Sequence, residues 1–89
     1  MLTRKITISN KLGLHARAAA KLVGLANGYA AEVVLEKGGQ RVNGKSIMGV
    51  MMLADSKGTV LQIQTDGEGE EEAMRALVTL IDDKFGEGE

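Results

Sequence analysis

Apolar and polar positions alternate at the start of the chain. Ile6 and Ile8 are separated by Thr7 and flanked by Lys5 and Ser9, the period of a half-buried strand beginning near Leu2. Asn10, Lys11, Leu12 and Gly13 end the alternation in a polar, glycine-containing turn. The period then changes. From Ala16 to Asn27 the chain is rich in Ala, Leu and Lys, and Ala19, Leu22, Val23 and Ala26 recur at i, i+3, i+4 and i+7. That spacing predicts a helix burying those side chains, with Asn27 and Gly28 as its stop.

Ala31 to Glu36 predicts a second strand, and Gly38-Gly39 a hairpin turn, because both positions can adopt positive φ at little cost. Gln40 to Asn43 is the third strand, followed by a turn at Asn43-Gly44. Ser46 can cap a short helix from Ile47 to about Leu53, and Asp55 to Gly58 is a loop. Thr59 to Thr65 alternates strictly, with Leu61 and Ile63 inward and Gln62 and Gln64 outward, and predicts the fourth strand. After a turn at Asp66 to Gly69, Glu70, Glu71 and Glu72 suit the positive end of a last helix. Met74, Leu77, Val78, Ile81 and Phe85 form its buried stripe, and Gly86 to Glu89 is a frayed tail. The order β-α-β-β-α-β-α predicts an α+β sheet with helices over one face and the other face wet.

Composition narrows the function. A chain of 89 residues holds one domain, spanning 1–89, with a thin core. The absence of Cys excludes disulfides, thiolate nucleophiles and cysteine zinc sites, and one His cannot form a histidine pair for a metal. The net charge of −1 and two aromatic residues, Tyr29 and Phe85, argue against a nucleic-acid surface. The longest apolar runs, such as Val50 to Ala54, fall far short of the ~20 residues that span a bilayer. No signal-peptide stretch precedes Arg4 and Lys5, so a soluble cytoplasmic protein is expected.

His15 is the side chain best suited to chemistry near neutral pH. It stands immediately before the first predicted helix, where backbone N–H groups lack intrahelical partners and the dipole is positive, a geometry that binds phosphate. Arg17, two residues on, adds a guanidinium that pairs with phosphate oxygens. Together they form a site for a phosphoryl group carried on an imidazole. The helix end would stabilise that anion by roughly 0.3–2 kcal/mol, a modest term suited to a carrier that must release its cargo. The pattern alone is equally consistent with His15 as a simple cap and Arg17 as solvated surface. Ala16, Ala20 and Gly24 make a small-residue stripe, and Lys21 shares a basic edge with Arg17. The stripe suits either a docking surface or close packing on the sheet. In the short helix Val50 and Leu53 suffice as anchors, which leaves Ile47, Met48 and Met51 either to an adaptable docking patch or to gaps in the core. Ser46 most simply caps that helix, and a phosphate there would also be tolerated.

Gly13-Leu14-His15-Ala16-Arg17, followed by Ala19 and Ala20, resembles the active-site motif of HPr, the histidine-containing phosphocarrier family of the bacterial phosphoenolpyruvate-dependent phosphotransferase system. Asn43-Gly44-Lys45-Ser46-Ile47-Met48 resembles the family's second signature, around its regulatory serine. The leader Asn10-Lys11-Leu12, the spacing and the element order also fit, so the resemblance covers essentially the whole chain. It implies an open-faced β-sandwich, a four-stranded antiparallel sheet with three helices on one side. It implies that His15 accepts a phosphoryl group on Nδ1 from phosphorylated enzyme I and donates it to enzyme IIA domains, with Arg17 steadying the group. It implies that Ser46 matches the serine modified by HPr kinase/phosphorylase in some bacteria. It implies that Ala20, Ile47, Met48 and Met51 fall on a partner-docking surface, with Ala16 and Lys21 expected beside them, on a monomer expected to need no cofactor or metal. One departure is Ala18, where most members carry Pro. Ala keeps the helix and adds a backbone donor near the phosphoryl site.

Three alternatives compete. A nitrogen-branch paralogue would use the same His chemistry to signal instead of feeding a sugar permease. A module that kept the fold for binding only would leave His15 unused. A small nucleic-acid-binding domain is disfavoured by charge and by the scarcity of aromatics.

Overall fold

The strand that opens the sequence, β1 (Leu2–Thr7), becomes an edge of a four-stranded sheet in the computed structural model, which describes residues 1–53 and 57–86. Helix α1 (Ala16–Ala26) follows, then the hairpin β2 (Glu32–Lys37) and β3 (Gln40–Asn43). Helix α2 (Ile47–Leu53), strand β4 (Val60–Asp66) and helix α3 (Glu70–Asp82) complete the order, with a 3-10 turn at Lys84–Gly86. The sheet order is β1-β4-β2-β3 and every neighbouring pair is antiparallel. Strands β2 and β4 each start and end one residue later than the sequence predicts, and β3 has its predicted bounds. Asp55, Ser56 and residues 87–89, expected to be loop and frayed end, lie outside the described residues, whereas Gly86, expected to start the frayed tail, is held in the 3-10 turn with its N–H donating to the Asp83 carbonyl at 2.9 Å.

Register follows from the pleat. Ile6 stands opposite Leu61 and Leu35 opposite Ile63, so one face is continuously apolar and buried under the helices. On the other face Lys5, Gln62, Glu36 and Arg41 form a row across all four strands, and Arg41 reaches Glu36 at 3.0 Å. Gly38 and Gly39 turn the β2–β3 hairpin with φ of 54° and 87°, values that a side chain would strain.

Ala19, Leu22, Val23 and Ala26 of α1 are buried as their spacing requires, and α1 packs against both other helices. The helix stop differs in detail from the expected glycine device. Asn27 is the C-cap in right-handed backbone, and its side-chain amide donates to the Val23 carbonyl at 2.9 Å. Gly28 is not in the left-handed region.

Phe85 needs correction. It is fully buried, as expected of the stripe, but α3 ends at Asp82. Lys84 and Phe85 both take φ of 55°, so the chain leaves the helix in a left-handed turn and folds the ring back under α1 and α3. Burial of this large side chain offsets the backbone cost.

Candidate functional site

The loop before α1 is fixed from within. Asn10 is fully buried and its side-chain amide donates to the Gly13 carbonyl at 2.7 Å. The Gly13 N–H returns to the Asn10 carbonyl at 3.1 Å, and Gly13 takes φ of 68°. This closed turn sends Leu14 into the core and delivers His15, half-buried, to the helix start.

His15 is the N-cap of α1, with extended backbone, and its carbonyl accepts the first helical hydrogen bond from Ala19 at 2.8 Å. Its ring nitrogen Nδ1 accepts from the Arg17 N–H at 3.2 Å. Capping and nucleophile presentation are thus one geometry. A nitrogen that accepts a hydrogen bond carries a lone pair, and here that lone pair sits at the positive end of a helix. The Arg17 side chain is exposed, and its guanidinium makes no ion pair or hydrogen bond among the described residues. It can close on an anion held by the ring without first breaking another contact.

The docking candidates separate clearly. Ala16, Ala20 and Gly24 are exposed, and a Cβ added at Gly24 would meet nothing within 4 Å. That stripe therefore faces solvent, which removes the close-packing alternative. Val50 and Leu53 are the buried anchors of α2, whereas Ile47 is 47%, Met48 76% and Met51 42% exposed. Met52, also well exposed, extends this patch. The sequence reading passed over it, although Met48, Met51 and Met52 follow helical i, i+3, i+4 spacing. Lys21 is tied down: its ammonium donates to the Phe85 carbonyl at 2.6 Å.

Ser46 caps α2, its Oγ accepting from the Gly49 N–H at 3.2 Å. The preceding turn is tightly strapped. Gly44 donates to the Val33 carbonyl at 2.8 Å, so close to β2 that a Cβ would lie 2.5 Å from a Val33 methyl. The Lys45 ammonium donates to the Tyr29 carbonyl at 2.7 Å, and the Asn27 amide donates to the Lys45 carbonyl at 3.2 Å. These bonds join the start of α2 to the C-terminal end of α1, the end opposite His15. Eleven residues of helix rise ~16 Å, so this joint and His15 lie at opposite ends of α1.

The comparisons agree with this geometry. The family model described as "PTS HPr component phosphorylation site" matches residues 2–83. The phosphocarrier protein HPr of Neisseria meningitidis serogroup A is 58% identical over 89 residues, covering 100% of both chains. Among solved structures, HPr-C-His from Thermoanaerobacter tengcongensis superposes with a TM-score of 0.95 at 48% identity, covering 98% of each chain. An HPr dimer from the same organism gives 0.79 at the same 48% identity, covering 98% of this chain and 100% of that one. The chain belongs to the HPr family of phosphotransferase-system phosphocarriers. The open-faced α+β architecture is that of its solved members. A phosphocarrier carries a group between proteins and does not itself turn over a substrate. Among the described residues no helix is long and apolar enough to cross a membrane.

Proposed function

We propose that His15 is the phosphoryl acceptor and that the chain relays the group, in the cytoplasm and as a monomer, from phosphorylated enzyme I to enzyme IIA domains of sugar permeases. The observation that carries this reading is the His15 Nδ1 lone pair held at the start of α1 beside an Arg17 guanidinium that is unengaged among the described residues. In the transfer, Nδ1 attacks phosphorus and a P–N bond forms. The bond from phosphorus to the donor breaks, and its electron pair stays with the donor. The 3.2 Å hydrogen bond from the Arg17 N–H is long, so releasing Nδ1 costs little. Once Nδ1 bears phosphorus, that N–H has lost its acceptor and a phosphoryl oxygen supplies the replacement. Arg17 then neutralises part of the added charge through charge-assisted hydrogen bonds. Onward transfer to an enzyme IIA reverses these steps.

The solvent-facing Ala16, Ala20 and Gly24 and the exposed Ile47, Met48, Met51 and Met52 support a docking surface that approaches His15 without a cleft. Lys21 contributes to that edge while also holding Phe85. Ser46 is the regulatory site for an HPr kinase/phosphorylase where the host has one. Its phosphate would stand beside the exposed Ile47 and Met48 and act on docking through them. Unchanged phosphotransfer after complete Ser46 phosphorylation would sink this regulatory role.

The test is phosphoenolpyruvate with each of the two enzyme I types. Faster labelling by the sugar-branch enzyme is expected, and faster labelling by the nitrogen-branch enzyme overturns the sugar assignment. A sedimentation mass near 9.4 kDa is expected for the monomer, and one near twice that value contradicts it.

A further inference from the structure

We infer that Met48, Met51 and Met52 form a reversible oxidation site through which a peroxide weakens docking, an inference that rests on the α2 patch being part of the docking surface. The chain has five Met and no Cys, so thioethers are its only sulfur nucleophiles. Their surroundings differ sharply. Met74 is 6% exposed and packs in the core. Met48, Met51 and Met52 are open to solvent and recur at i, i+3 and i+4, so they share one face of α2. Met1 is open too, but it precedes β1, whereas α2 packs on β3 at the opposite edge of the sheet. The oxidisable sulfurs are therefore gathered on the surface offered to partners.

Hydrogen peroxide is the oxidant. A sulfur lone pair attacks one peroxide oxygen, an S–O bond forms and the O–O bond breaks. The departing hydroxide takes the proton left on the new oxygen and leaves as water. Sulfur loses two electrons and the peroxide gains them. A dithiol-dependent reductase reverses the change: two thiols become a disulfide and the sulfoxide oxygen leaves as water. The sulfoxide turns a flexible apolar side chain into a polar one. On a docking face its oxygen must shed water, which costs free energy unless the partner offers a donor. The fold is spared, because the buried Val50 and Leu53 anchor α2 and the Gly44, Lys45 and Asn27 bonds strap its start. Oxidation thus acts on recognition and leaves the His15 end of α1 untouched.

The test is treatment with hydrogen peroxide followed by phosphoryl transfer from phosphorylated enzyme I. Peptide mass mapping is expected to show an added oxygen on each of Met48, Met51 and Met52 while Met74 stays reduced. The concentration of this chain at half-maximal transfer is expected to rise about tenfold, as for one apolar side chain lost from an interface, with the maximal rate and Tm unchanged. Methionine sulfoxide reductases A and B with a dithiol should reverse the rise. Met48→Leu/Met51→Leu/Met52→Leu should transfer equally well before and after peroxide. Resistance of the three methionines to peroxide overturns the inference, as does unchanged transfer once they are oxidised. An equal loss in the triple variant, which retains Met1 and Met74, also overturns it. If that variant does not fold, repair of wild type decides alone, and a loss that the reductases leave in place overturns the inference. Failure of the underlying docking reading looks different: Met48→Gln, polar without any oxidant, then transfers like wild type.

Discussion

Two helix starts in this molecule use the same device and are held very differently. At α1, an imidazole caps the helix through Nδ1 at 3.2 Å, beside an arginine whose guanidinium makes no ion pair or hydrogen bond among the described residues. At α2, a serine caps at the same 3.2 Å, but the turn before it is bound to β2 and to the end of α1 by Gly44, Lys45 and Asn27. The comparison teaches where exchange chemistry fits. A group that must arrive and leave needs donors that are poised but unspent. A segment that only presents a surface, or receives a lasting modification, can be strapped in place.

The contrast can be attacked from either side. The largest effect is expected at the start of α1. Arg17→Met should slow phosphoryl transfer to His15 by about 10–100-fold, the loss of a charged hydrogen-bonding partner, measured by rapid-quench labelling. A rate within twofold of wild type would make Arg17 mere surface. At the strapped end, Gly44→Ala should destabilise by about 1–3 kcal/mol and lower Tm by ~10 °C, because its Cβ collides with Val33 in the core. An unchanged Tm would mean that the turn yields easily and is not a strap. Ser46→Ala should cost about 0.5–2 kcal/mol through loss of the α2 cap, read by urea denaturation. A cost below a few tenths would mean the strap alone holds this helix start.

The smallest effect lies far from both. The Met1 amine contacts Glu70 at 2.9 Å and Asp66 at 3.7 Å. The hydrogen bond to Glu70 raises the amine above its ordinary 8.0, with the nearby carboxylate charges adding to it. The amine and the Gly67 N–H hold Glu70 below its ordinary 4.5. The sign is opposite for the two groups. The glutamate's share is present above 4.5 and lost as pH falls through its lowered value; the amine's share is present below 8.0 and lost as pH rises through its raised value. Stability from this pair is therefore flat between those two values and falls on either side. The amine is exposed and Glu70 only half-buried at the surface, so the change is small, and Glu70→Gln should abolish it in pH-dependent melting curves. Identical curves for the variant would remove the pair as the cause.

Much of this was legible in the sequence. The buried stripe of α1 and the two-residue period of β1 and β4 follow from packing rules that depend only on near neighbours. So does the position of His15, since Gly13 and Leu14 must close a turn before a helix can begin. Phe85 misled because it follows Ile81 by four residues and is buried, which satisfies the helical pattern although the backbone has already turned left-handed. The straps were invisible for a different reason. Lys21 meets Phe85 across 64 residues and Lys45 meets Tyr29 across 16. A periodicity shows which face a lysine stem lies on but not which carbonyl its ammonium will find. The wedge of Gly44 against Val33 needs the register of a strand pair, which no local window contains. Whether the small stripe of α1 faced sheet or solvent was likewise open until the helix had its neighbours.

The central claim is that one imidazole nitrogen, poised at a helix start, carries the phosphoryl group. It is tested most directly by incubating the protein with phosphoenolpyruvate and enzyme I and locating the label. The account predicts one phosphoryl group per chain, acid-labile and base-stable, on Nδ1 of His15, and no label on His15→Ala. A label of the same chemistry that persists on His15→Ala, or attachment at Nε2 instead of Nδ1, would contradict it.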